Sequence, residues 1–277
     1  MKDLHYRHYS FELILQGAYQ GNEFALAFRS LLGLVLHEQL CQFATMNCPQ
    51  CPLRETCDYT ALFETSARAG YDITLYSLNW QTPTVTKYSA VKFDLFVFHS
   101  LERFDQTFWL PIFRRMGALG VGKMRIAFQV NLLEVKDIHK PLPAQGDAQI
   151  QLQLTLQTRT PWRLLHEGGV VLNPEYATVL RSCYQRLENL YPEARTSFPF
   201  LNFDTAQKTK TIQTHFERKT WYYFSTRQKK KIALAGVEGS MSVEGSFSGQ
   251  ELFYLYFGEI AGVGKSLRFG LGRYQIH

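Results

Sequence analysis

Nowhere does the 277-residue sequence approach the ~20 consecutive apolar residues that cross a bilayer; its longest early apolar run, Phe24 to Leu36, is broken by Arg29. The opening Met1-Lys-Asp-Leu-His-Tyr-Arg-His also lacks a basic segment followed by a clean apolar one, so no secretory leader is expected. No membrane role is expected, and the cytoplasm is the expected location. Two phosphate-loop signatures are missing as well: there is no G-x-x-x-x-G-K-[ST], and no early strand–loop–helix with an acidic residue downstream. Cysteine is scarce, with five residues, four of them between positions 41 and 57. Acid is in deficit, 24 Asp and Glu against 30 Lys and Arg, which leaves a formal net charge of +6 and favours a polyanionic partner.

What is present is enough for a large core. With 45% apolar and 14% aromatic residues, the chain can bury two domains of ordinary size. It is organised around the C-terminal run from Gly258 to Ile276, which carries five glycines together with Lys265, Arg268 and Arg273. Glycine at that density suits neither helix nor strand interior, so the run reads as a loop that lets another backbone come close. The interleaved cations point to an anionic partner, against the plainer reading of a glycine-rich hairpin with solvated charges. An upstream segment, Gly117-Ala-Leu-Gly-Val-Gly-Lys-Met-Arg-Ile-Ala-Phe128, shares Gly-Val-Gly-Lys with residues 262–265, and an Arg follows within three residues in both. Matched flanks of this kind indicate a duplicated unit.

In chain order, the alternation of Phe11, Leu13 and Leu15 predicts a first strand, and Asn22 a helix cap ahead of a helix reaching about Leu40. Arg29 and His37 share one face of that helix. Residues 58–90 read as irregular, Lys92–His99 as a strand, Thr107–Met116 as a helix, and the segment after the first glycine loop as a closing strand. His139–Asp147 has a linker's composition. Beyond it, Gln149–Gln157 alternates strictly, as a half-buried strand does, and a helix covers about Pro174–Tyr191. Trp221–Lys231 then joins aromatics to a basic run, and Val237–Phe247 reads as a hairpin. Aromatics stack bases while Lys and Arg hold phosphates, a combination that favours single-stranded or hairpin RNA. As a bare charge run the same stretch is a solvated face.

Cys48-Pro-Gln-Cys51 forms a knuckle able to offer two thiolates to one ion, and Cys41 and Cys57 can complete a four-thiolate shell. Zinc is the first choice. An iron–sulfur cluster uses the same ligands, and reduced cysteines packing a small knob are the plain structural alternative. Cys183 stands apart, as a buried cysteine does.

Together these motifs resemble the CRISPR-associated endoribonucleases of the RAMP superfamily that process precursor CRISPR RNA, in the branch with a cysteine-rich insertion. The residues that carry the likeness are Arg29, Gly33, Cys41, Cys48, Cys51, Cys57, Tyr59 and Phe63-Glu64. In the second half they are Thr160-Pro-Trp-Arg-Leu, Trp221, Ser225, Arg227-Gln228, Gly236, Gly239 and the final Gly-Val-Gly-Lys-x3-Phe-Gly-Leu-Gly-Arg-Tyr. The resemblance implies an α+β fold of two tandem ferredoxin-like (RRM-like) domains, residues 1–138 with a cysteine-rich metal-binding insertion at about 41–64, and residues 148–277 with the glycine-rich loop. It implies RNA on the face and cleft bearing the glycine loops.

The resemblance further implies metal-independent cleavage, in which a ribose 2′-hydroxyl attacks the neighbouring phosphate and leaves a 2′,3′-cyclic phosphate. Such a reaction needs a base, an acid and cations for the transition state. His37 is the expected acid or base; a histidine satisfied in a helix interface, or a ligand beside Cys41, are its alternatives. Tyr19 is placed to orient the nucleophile. Lys265 and Arg268 are expected to stabilise the phosphate, and Arg227, Lys229 and Lys230 to grip the RNA backbone. Arg29, Lys123, Arg125, Gly262, Gly264 and Arg273 complete the expected RNA contacts. The expected partners are the repeat RNA with its 3′ hairpin and other subunits of a CRISPR effector complex; the expected metal is structural zinc, with none needed for cleavage. One departure stands out: relatives often carry histidine where this chain has Gly262. That leaves a non-catalytic RNA-binding subunit of the same superfamily as a second reading, and a redox metal-cluster protein as a third.

Overall fold

The computed structural model describes residues 3–19, 24–43, 48–64, 76–80, 90–98, 103–141, 149–193, 201–208, 210–225 and 230–277. Two compact units make up the chain, residues 6–138 and residues 139–277 together with 1–5. The expected helix cap Asn22 and most of the expected linker lie outside the described residues, while the strand after the first glycine loop runs on to Pro141, past His139.

The first unit contains β1 (Asp3–Leu15), α1 (Phe24–Leu40), β2 (Tyr76–Trp80), β3 (Ala90–Phe98), α2 (Gln106–Leu119) and β4 (Phe128–Pro141), with sheet order β2-β3-β1-β4. β1 and β3 run antiparallel with Phe11 opposite Phe93, so the period-2 apolar sets of both central strands fall on one face. Phe28, Leu32 and Val35 of α1 and Trp109, Phe113 and Met116 of α2 cover that face, all fully buried. Phe11 stacks on Phe93 at 5.2 Å and meets Phe113 edge-on at 4.9 Å. Each such ring contributes about 1.5–3 kcal/mol through burial. α2 starts at Asp105, whose carboxylate accepts from the Thr107 amide at 2.8 Å and hydroxyl at 2.6 Å. These hydrogen bonds hold its pKa below the usual carboxylate range.

The second unit contains β5 (Ile150–Thr158), a small hairpin of β6 (Leu165–His166) and β7 (Gly169–Val170), α3 (Tyr176–Leu190), α4 (Phe203–Lys208), β8 (Lys210–Ser225), β9 (Lys230–Phe247), α5 (Gly249–Ala261) and β10 (Tyr274–Ile276). Its sheet order is β10-β5-β9-β8. With the small hairpin and α4 set aside, both units run strand–helix–strand–strand–helix–strand. Both sheets also place the fourth strand beside the first, the first beside the third and the third beside the second. The duplication implied by the two glycine loops therefore extends to the topology: an α+β fold with antiparallel sheets.

Two sequence expectations are corrected. The stretch read as irregular contains β2 and a π-turn over Thr60–Glu64. Val237–Phe247 is not a hairpin but part of one continuous 18-residue strand. Its glycines serve close approach rather than turning: a Cβ on Gly239 would collide with the His215 carbonyl across the ladder, and one on Gly236 would lie 2.7 Å from the Trp162 oxygen. The apolar segment Glu251–Phe257 lies within helix α5. Its start is a capping box in which the Ser248 hydroxyl accepts from the Glu251 amide while the Glu251 carboxylate accepts from the Ser248 amide. Glu251 is buried, pairs with the buried Lys210 at 2.7 Å and accepts from the Tyr176 hydroxyl at 3.2 Å.

Candidate functional site

The C-terminal glycine loop starts where α5 stops. Gly262 (φ 86, ψ 165) is the cap, and its N–H donates to Gly258 O at 2.7 Å. The following amides are taken up by the protein itself. Val263 N–H donates to Gly272 O, Lys265 N–H to Arg163 O and Gly272 N–H to Pro161 O, each at 2.9 Å. Gly264 N–H donates to Ser182 Oγ at 2.8 Å and Arg273 N–H to Thr160 Oγ1 at 3.0 Å. A Cβ on Gly264 would lie 2.6 Å from the Arg163 oxygen. The close partner for which Gly264 makes room is thus the Thr160–Arg163 segment, and the loop is zipped onto it.

The cations of this loop have different fates. Lys265 and Arg268 are half-exposed. Arg273 is buried, and its guanidinium donates to Ile260 O at 3.4 Å, at the negative end of the α5 dipole. It therefore supports the loop from beneath. Gly262 is held by geometry: its φ is left-handed, and a Cβ there would lie 2.8 Å from Arg273 Nη1 and 2.9 Å from Leu267 Cδ2. Of the basic run, Arg227 and Lys229 lie outside the described residues, while Lys230 is exposed at the start of β9 opposite Ser225. Its neighbour Lys231 sits over the Tyr222 ring at 4.3 Å. Arg163 donates to Ala235 O at 2.8 Å, so one segment braces both the glycine loop and the β9 strand.

In the first unit the other glycine loop repeats this backbone. Gly120 (φ 80, ψ 146) caps α2 with its N–H on Met116 O at 2.9 Å, Val121 is buried, and Gly122 (φ 75) matches Gly264 (φ 78). Lys123 and Arg125 are exposed. Tyr19 lies against this loop: a Cβ on Gly122 would lie 2.9 Å from its ring.

His37 stands elsewhere. Arg29, Gly33 and His37 follow one another at four-residue intervals on one face of α1. A side chain on Gly33 would run into the Phe63 ring, so the missing side chain seats that ring on the helix. The Arg29 guanidinium covers the same ring at 4.3 Å, Phe63 stacks on Tyr59 at 5.6 Å, and Tyr59 meets the half-buried His37 edge-on at 5.0 Å. Arg29 thus joins an aromatic clamp. Tyr19 packs edge-on against Phe24 in the first turn of α1, and His37 is in the last, about 20 Å further along the helix. The structure therefore separates Tyr19 from His37 and groups it with Lys123 and Arg125.

Cys41, Cys48, Cys51 and Cys57 are half-buried reduced thiols. Among the described residues no group of three or more His, Cys, Asp or Glu side chains stands close enough to hold a metal ion, so these four do not fit a thiolate shell as placed. Cys183 is buried against the Tyr274 hydroxyl at 3.5 Å, and burial pushes its thiol up to about 12. Among the described residues no helix is long and apolar enough to cross a membrane.

Comparison with known proteins bears on both halves. Residues 4–155 match the AF_1859_N family model, described as an N-terminal domain, and residues 156–274 match the CRISPR-associated endoribonuclease Cas6 model. No curated protein sequence matches. Among solved structures, the fold is similar to a Cas6 product complex at TM-score 0.56 and 13% identity, over 98% of this chain and 99% of that chain. It is similar to Thermus thermophilus Cas6 at TM-score 0.54 and 12% identity, over the whole of both chains. A partial Cas6-RT-Cas1–Cas2 complex matches 99% of this chain and 46% of that chain, at TM-score 0.55 and 12% identity.

Proposed function

We propose, from the match of residues 156–274 to the CRISPR-associated endoribonuclease Cas6 model, that the chain is a member of that family, binds the repeat of precursor CRISPR RNA and cleaves it without a metal ion. The two units are read as tandem ferredoxin-like domains. In the proposed reaction the ribose 2′-hydroxyl loses its proton to a base and attacks the adjacent phosphorus. The bond to the 5′-oxygen breaks, that oxygen takes a proton from an acid, and the products end in a 2′,3′-cyclic phosphate and a 5′-hydroxyl. His37 is the proposed acid or base: it is half-buried and its ring is oriented by Tyr59, and an oriented imidazole suits proton transfer near neutral pH. Lys265 and Arg268 are proposed to offset the charge gained by the phosphate, and Lys230 to grip the backbone. The product is proposed to stay bound through its 3′ hairpin, in company with other effector subunits.

The observation that carries this reading is the zipped C-terminal loop. Five of its amides are tied to the protein, so Lys265 projects from a backbone that needs no reordering when RNA arrives. A second reading, an RNA-holding subunit that does not cleave, is favoured by Gly262, where an imidazole would need a left-handed φ and the displacement of Arg273 and Leu267.

Cleavage of the cognate repeat RNA in excess EDTA decides between them. The first reading expects wild-type cleavage to persist and to end in a cyclic phosphate. It also expects His37→Ala to slow cleavage by about 10²–10⁴-fold with binding intact, and Lys265→Ala to impair both binding and cleavage. Tight binding with no cleavage by the wild type would establish the second reading instead.

A further inference from the structure

We propose that the first glycine loop, Gly120–Ile126, is a second phosphate-binding site, a backbone nest that holds one phosphate of single-stranded RNA while Tyr19 stacks the adjoining base. This inference rests on the RNA-binding reading above and adds to it a site in the other unit.

The two loops share a cap, a buried valine and paired left-handed glycines, but they differ in where their amides go. In the C-terminal loop the amides are taken up by Thr160–Arg163, Ser182 and the loop's own Gly272 carbonyl. In the first loop Val121 and Ile126 bond each other in both directions, and Arg125 N–H closes the turn on Gly122 O at 3.1 Å. No described residue accepts from the N–H groups of Gly122, Lys123 or Met124. Three successive donors at the tip of a turn that opens with a left-handed residue form an anion-binding concavity.

The surrounding side chains suit a phosphodiester. Lys123 and Arg125 are exposed on either side of Met124, itself 81% exposed at the tip, so nothing in the described unit covers the donors. Arg125 is held at φ 48, a left-handed conformation that non-glycine residues rarely adopt. Tyr19 supplies a partly exposed ring against Gly122, and base–aromatic stacking beside a cationic track is how proteins hold single strands without reading sequence.

The test is binding of labelled single-stranded oligo(U) RNA over a salt series by the wild-type full chain and by Lys123→Met/Arg125→Met. Two lost phosphate contacts are expected to lower the slope of log K against log salt by about 1.4, and to weaken binding about 25-fold at 0.1 M salt. A second pair isolates the backbone. Lys123→Met removes the cation alone, whereas Lys123→Pro also removes one amide donor while keeping a residue favoured at the second position of a turn. The proline variant is expected to bind more weakly than the methionine variant, with a matching melting temperature. Equal affinity of the two would remove the nest. Wild-type affinity and slope in the double variant would overturn the site while leaving the RNA-binding reading intact. Failure of the wild type to bind oligo(U) and repeat RNA alike would overturn both.

Discussion

At the scale of single residues, several side chains owe their importance to what they leave room for. Gly33 is one: it seats the Phe63 ring, which stacks on the Tyr59 that orients His37. Gly33→Ala is therefore expected to lower the rate of RNA cleavage and alter its pH profile, while RNA affinity holds. A single-turnover assay over a pH series measures both. Gly262→His is expected to destabilise the second unit rather than add activity, because the position combines a left-handed φ with two close neighbours. Thermal unfolding of that variant checks the point. The cysteines make a third residue-scale test. As placed, Cys41, Cys48, Cys51 and Cys57 are half-buried and not gathered, whereas Cys183 is fully buried with its thiol raised to about 12. Native alkylation followed by mass spectrometry is expected to label the first four and spare Cys183. Protection of all four by bound zinc would show that the segment closes around an ion.

At the scale of elements, helix starts and buried charge govern stability. Asp105 caps α2 with a depressed pKa, so its contribution is present above the usual carboxylate range and lost as pH falls through the lower folded value. The melting-temperature difference between wild type and Asp105→Asn is thus expected to be full at neutral pH and to shrink in acid. At the start of α5 the buried pair Lys210–Glu251 ties β8 to the capping box and to Tyr176 of α3. Lys210→Met strands a buried carboxylate and is expected to cost about 3–5 kcal/mol, with much of the loss recovered in Lys210→Met/Glu251→Leu; denaturant unfolding of the three proteins measures it. The capping box is legible in the local spacing Ser248-x-x-Glu251. β8 was harder to read, because Lys210–Ser225 carries charges on a strand with one mostly exposed face.

At the scale of the whole molecule, the chain is one topology used twice. Each unit has its own core, of Phe11, Phe28 and Phe113 in one and Met241, Tyr254 and Phe257 in the other. Phe113→Ala and Lys210→Met are therefore expected to lower different transitions in a calorimetric scan; a single transition moved equally by both would contradict separate units. The two loops at equivalent positions also differ in their amides: Gly264 and Lys265 bond to Ser182 and Arg163, whereas the matching Gly122 and Lys123 have no acceptor among the described residues.

The amino-acid sequence by itself determined the class and most of the elements, since alternation over Phe11, Leu13 and Leu15 and the repeated Gly-Val-Gly-Lys are local patterns that need no partner to be seen. It also determined the family resemblance. Only the tertiary structure decided what each polar group does. Arg273 became a buried prop, Tyr19 moved from His37 to the first loop, and Gly264 of the C-terminal loop answered to the backbone of Arg163. Hydrogen-bond partners distant in sequence set those outcomes, and no periodicity or composition records which distant carbonyl will lie within 3 Å of a given amide.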